Sequence, residues 1–237
     1  MPAHIRVNIA VNTSSPPMRI LHILILLGGL AGVFFVYKDY ASKEKQRRNK
    51  HSELLRRVIE DTIKSGPLTG EEDFTRTDEA PLFRCLAFMR EAEENGYSTA
   101  DTAQQAAASA GTRGSLARLI TERLNDNYAI ARKLGVFEDV GNVLRMGRGL
   151  PPVAKAKGWE DQILTVGHIL SPVIAPEAAN SLANLVLMPE IVRNMESDDI
   201  GGFSLDMSKR WLSDGLITTE SHQTVLTLLD RKAKKGL

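Results

Sequence analysis

His168, Asn184 and Asn194 are polar residues that punctuate the apolar stretches between residues 163 and 197. Imidazole is the side chain that exchanges its proton near neutral pH, whereas the other polar side chains here do not. The carboxamides of Asn184 and Asn194 do not titrate, and each both donates and accepts hydrogen bonds. Without any catalytic role, the same residues are a strand histidine bonded to a backbone group, a turn asparagine and a helix-end asparagine. His4, His22, His51 and His222 show no ligand spacing with one another. Cys85 is the single cysteine, which allows neither an internal disulfide nor a cysteine-based metal site. It is expected as a small buried hydrophobe. The glycines between 141 and 149 form no phosphate-cradling motif.

The elements expected to hold these residues follow from their surroundings. Ile163-Leu-Thr-Val-Gly-His-Ile-Leu170 is apolar and β-branched, which predicts a strand. Pro172 and Pro176 bracket a loop, and Leu182-Ala-Asn-Leu-Val-Leu-Met188 is a second candidate strand. Pro189 then opens a helix over Glu190 to Met195. His168 falls in the first strand, Asn184 at the start of the second, and Asn194 in the helix.

This order resembles the HNH endonuclease family, whose core is a ββα-metal unit. The family pattern is Asp-His-Ile-x-Pro on the first strand, Asn-Leu-x-Leu-x-Pro on the second, and a helix carrying His or Asn. The matching stretches are Gly167-His-Ile-Leu-Ser-Pro172, Asn184-Leu-Val-Leu-Met-Pro189 and Arg193-Asn-Met-Glu-Ser-Asp198. Leu134-Gly-Val-Phe137, Ala175-Pro-Glu177 and Ile200-Gly201 resemble the flanks of bacterial members. The likeness covers about residues 115–230, and it lies in the order and spacing of motifs that are individually weak. It implies phosphodiester hydrolysis, which needs a base to deprotonate water and a cation to absorb charge on the phosphoryl and leaving oxygens. On the family pattern, His168 is the base, Asn184 orients it and braces the loop, and Asn194 is a ligand to one divalent ion (Mg²⁺, Mn²⁺ or Zn²⁺).

Two features depart from that pattern. Gly167 stands where the family places Asp or His, so one metal ligand is missing, and a hard cation usually requires a carboxylate. Asp161, Glu177, Glu190 and Glu196 are the carboxylates available to substitute. A Lys common after the helix Asn or His is absent too, with Glu196-Ser-Asp-Asp199 in its place. Residues 150–229 hold five Lys or Arg against ten Asp or Glu, a field that repels phosphate.

The rest of the chain is predicted helical. Pro81 to Glu94 ends at Asn95-Gly96, Thr99 to Ala110 ends at Gly111, and Gly114 to Leu134 ends at Gly135. A shorter helix covers Phe137 to Met146, and the tail returns to helix over Ser204 to Ser213 and Thr219 to Lys234. Trp159 and Trp211 are expected against the core.

At the other end, Ile20 to Tyr37 runs 18 residues without a formal charge. As a helix it measures about 27 Å, close to the roughly 30 Å hydrocarbon core of a bilayer. The run passes directly into Lys38-Asp39-Tyr40 without a small-x-small cleavage site, which favours a retained anchor over a signal peptide. Arg6 and Arg19 precede the run, whereas Lys38, Lys43, Lys45, Arg47, Arg48 and Lys50 follow it, so the C-terminal part is expected in the cytoplasm, at the inner membrane. The basic stretch also suits anionic headgroups. Gly28 and Gly32 carry the small-xxx-small spacing that pairs membrane helices into a homo-oligomer.

The expected architecture is α+β and mainly helical. It comprises a short tail (1–19), a single-pass transmembrane helix (20–37), a basic juxtamembrane helix (38–65), a linker (66–79), a helical region (80–149), an HNH-like ββα unit (150–203) and C-terminal helices (204–237). Two functions fit it. One is a metal-dependent hydrolase acting on DNA or RNA; the other is an inactive scaffold holding a protein partner at the membrane face.

Overall fold

The computed structural model describes residues 16–64, 79–112, 114–193 and 205–234, with the side chains of residues 16–37, 48 and 49 outside the described set. The chain divides into two units, Met1–Arg47 and Arg48–Leu237. Helix α1 (Pro16–Lys64) supplies residues to both, and Pro16 and Pro17 suit its first turn. Residues 20–37 run as helix backbone inside α1, but the transmembrane expectation falls on side chains outside the described residues. Among the described residues no helix is long and apolar enough to cross a membrane. The expected linker also lies outside them, apart from Glu79.

In the second unit, α1 turns Leu55 and Ile59 into a core shared with α2 (Ala80–Glu94), α3 (Thr99–Ser109) and α4 (Gly114–Lys133). Leu82, Phe83, Leu86 and Met89 form the buried stripe of α2, with Cys85 buried among them as expected. Burial pushes the Cys85 thiol's pKa up, so it stays protonated. Ser98 caps α3 by accepting the Asp101 N–H at 3.2 Å. Asp139 caps α5 (Val140–Gly147) by accepting the Gly141 N–H at 2.7 Å. That cap moves the helix start three residues beyond the expected Phe137, and Val136–Glu138 forms a 3-10 turn instead.

The sheet has two antiparallel strands, β1 (Leu164–His168) and β2 (Leu185–Pro189), with Gly167 opposite Val186 and His168 opposite Leu185. Both strands are shorter than their apolar runs. Leu182–Asn184 is a 3-10 turn, because Ser181 accepts the Ala183 N–H and Asn184 turns its amide to Leu170. Leu164 and Val166 alternate onto the core face, leaving Thr165 and Gly167 on the other. Helix α6 (Glu190–Arg193) packs on β1 and β2, and α7 (Leu205–Ser213) and α8 (Thr219–Lys234) pair with each other. The fold is therefore mainly helical with a small antiparallel sheet.

Candidate functional site

The site is assembled by side-chain amides that behave as pieces of backbone. Asn184 is wholly buried; its Oδ1 accepts the Leu170 N–H at 2.8 Å and its Nδ2 donates to the Leu170 carbonyl at 2.9 Å. The Ile169 N–H donates to the Asn184 carbonyl at 2.8 Å. These three bonds close the loop of residues 169–184 at its neck. From α4, the wholly buried Asn127 donates through Nδ2 to the Leu185 carbonyl at 2.9 Å and accepts the Leu187 N–H at 2.7 Å through Oδ1. β2 thus pairs with β1 on one edge and with a single side chain on the other. Asn142 treats Val153 the same way, accepting its N–H at 2.9 Å and donating to its carbonyl at 2.8 Å. Each pairing satisfies backbone groups that burial would otherwise leave unbonded.

Within this frame His168 ends β1, and its Nε2 lies 3.1 Å from the Ala179 carbonyl. A carbonyl only accepts, so Nε2 carries the proton and the lone pair of the neutral ring sits on Nδ1. Among the described residues Nδ1 has no hydrogen-bond partner. Burial lowers the His168 pKa from its ordinary 6.5; the bond to Ala179 opposes the shift, and the Arg193 charge adds to it. Burial thus favours the neutral ring, the state that accepts a proton.

Arg193, at the end of α6, lies across the sheet face that carries Thr165 and Gly167. Its Nη1 donates to Glu79 at 3.0 Å and to the Thr165 hydroxyl at 2.9 Å. The Thr165 hydroxyl in turn donates to the same Glu79 oxygen. Glu79 is the N-cap of α2 yet makes no cap bond with its side chain, which reaches to the sheet instead. Residue spacing alone does not reveal this cluster, because Glu79 and Thr165 are 86 positions apart. Arg193 had a local signal, as the residue before Asn194 in the motif Arg193-Asn-Met.

Asn194 lies outside the described residues. Of the substitute carboxylates, Asp161 is paired with Lys155 at 3.1 Å, and Glu177 accepts the Thr218 N–H at 2.5 Å. Glu190 is exposed, and Glu196 lies outside the described residues. Among the described residues no group of three or more His, Cys, Asp or Glu could hold a metal ion. Gly167 contributes no ligand, so the described residues do not fit the metal centre that the resemblance implies. No family model, curated protein or solved structure matches the chain.

Proposed function

We propose that this chain is a membrane-anchored, HNH-like hydrolase of nucleic-acid phosphodiesters, with His168 as its general base. The observation that carries the reading is the bond from His168 Nε2 to the Ala179 carbonyl, which fixes the tautomer and leaves Nδ1 without a partner among the described residues. In the proposed step, Nδ1 takes a proton from water as that water's oxygen bonds to phosphorus. The bond from phosphorus to the leaving oxygen breaks, and that oxygen takes a proton from solvent. Asn184 is a positioning residue in this scheme: it holds the loop whose Ala179 carbonyl orients the imidazole. The part given to Asn194 and a divalent ion rests on the motif order alone.

The anchor belongs to the same proposal. The uncharged run of residues 20–37 and its basic C-terminal flank support a single span with the C-terminal part in the cytoplasm, where DNA and RNA are accessible. The test uses the full chain in detergent micelles, incubated with plasmid DNA or RNA in Mg²⁺, Mn²⁺ or EDTA, beside His168→Ala. Removing a general base lowers the rate by about 10²–10⁴-fold. Cleavage of equal rate in the variant would overturn the assignment.

Gly167 and the acidic balance of residues 150–229 favour a second reading, an inactive scaffold that holds a protein partner. Gly167→Asp restores the missing carboxylate. On this second reading it yields a chain that binds Mn²⁺ but, like the wild type, cuts nothing; cleavage by the wild type excludes it.

A further inference from the structure

Phosphodiester chemistry needs positive charge beside the scissile phosphate, and the described residues offer no metal centre for it. Arg193 is a cation bonded to β1 at Thr165, three residues before His168. Its guanidinium is held from one side only: Nη1 serves both Glu79 and Thr165, while Nε and Nη2 have no hydrogen-bond partner among the described residues. The Nε and Nη2 protons form one edge of the planar fork, the edge that matches two oxygens of a phosphate. The side chain is 37% exposed, enough to meet a ligand, and Thr165 beneath it is buried. Anchoring through Nη1 fixes the plane before any ligand arrives, so less side-chain freedom is lost on binding.

We infer that Arg193, clamped by Glu79 and Thr165 on the strand that ends in His168, is the phosphate-binding residue of this site. The ligand class is a phosphodiester of a nucleic-acid backbone. This inference rests on the proposed hydrolase reading for its substrate, and a fixed organic cation supplies the positive charge that a metal ion would bring. The charge also acts on His168, whose proton affinity it lowers through space.

The test separates binding from cleavage by using the His168→Ala chain throughout, so loss of the base does not obscure the phosphate site. A fluorescein-labelled 12-nucleotide DNA, and a copy with an uncharged methylphosphonate backbone, are titrated by anisotropy against the full chain in micelles. Adding Arg193→Gln is expected to weaken the charged oligonucleotide about tenfold and to leave the uncharged copy unchanged. It should also reduce the slope of log affinity against log salt by about 0.7, the effect of losing one phosphate contact on a single strand. Equal affinity and slope with and without Arg193→Gln would overturn the inference. Should that substitution disturb folding, phenylglyoxal labelling of Arg193 in the His168→Ala chain, read by mass spectrometry, decides the matter. The charged oligonucleotide should protect Arg193 and the methylphosphonate copy should not; no protection by either rejects the site.

Discussion

At the residue scale, the account turns on a neutral imidazole and the groups that keep it neutral. The His168 pKa lies below 6.5, mainly through burial, so activity should fall as pH drops through that lowered value. The acid limb of the kcat/KM profile is therefore expected below 6.5, and Arg193→Gln should move it upward by removing a repelling charge. An acid limb that does not move would separate Arg193 from His168. Linkage has the same sign: below 6.5 the unfolded chain takes up a proton that the folded chain refuses, so stability falls as pH falls through this window. Asn184 makes a separate prediction. Asn184→Ala leaves the Leu170 N–H and carbonyl without their partner in a buried place, at a cost of about 2–4 kcal/mol, measurable by urea denaturation. A cost below about 0.5 kcal/mol would mean that water replaces the amide there.

Elements are joined by single side chains that stand in for missing strands. Asn127 supplies β2 with its second edge, so Asn127→Ala should cost about 2–4 kcal/mol and speed hydrogen exchange at Leu187, whose N–H it accepts. Exchange at wild-type speed would remove α4 from the support of the site. Gly149, just beyond α5, has φ +77, and a Cβ there would sit 2.6 Å from the Cβ of Ala80 at the start of α2. Gly149→Ala is therefore expected to destabilise the chain by about 1–3 kcal/mol, read as a lower denaturation midpoint. This scale also divides what residue order reveals from what it hides. The starts of α2 and α3 were legible to within a residue, because Pro81 and Ser98 act locally. The end of β1 and the start of β2 were not, since Asn184 and Ser181 draw the backbone into a turn that an apolar run does not announce. Nor was Asn127, whose partners lie 58 and 60 residues away. His168 and Asn184 stood out by position, but the pairing of His168 with Ala179 depends on how the intervening loop closes.

For the whole molecule, the proposal joins a hydrophobic anchor to a unit with its own core. Removing residues 1–37 should move the chain from the carbonate-resistant membrane fraction to the supernatant, since the uncharged run leaves with them. A truncated chain that stays with the membrane would show that another surface holds it there. Among the described residues the hydrophobic core lies within the unit of residues 48–237, so the truncation should leave the urea midpoint unchanged. Arg193 is one of five Lys or Arg against ten Asp or Glu in residues 150–229, so the proposed chemistry would depend on few cations. The most direct measurement is the rate at which the full chain cleaves plasmid DNA or RNA, compared with His168→Ala of matched melting temperature. The account predicts cleavage by the wild type and a loss of at least about 100-fold in the variant. Equal rates, or no cleavage by a correctly folded wild-type chain on either substrate, would contradict it.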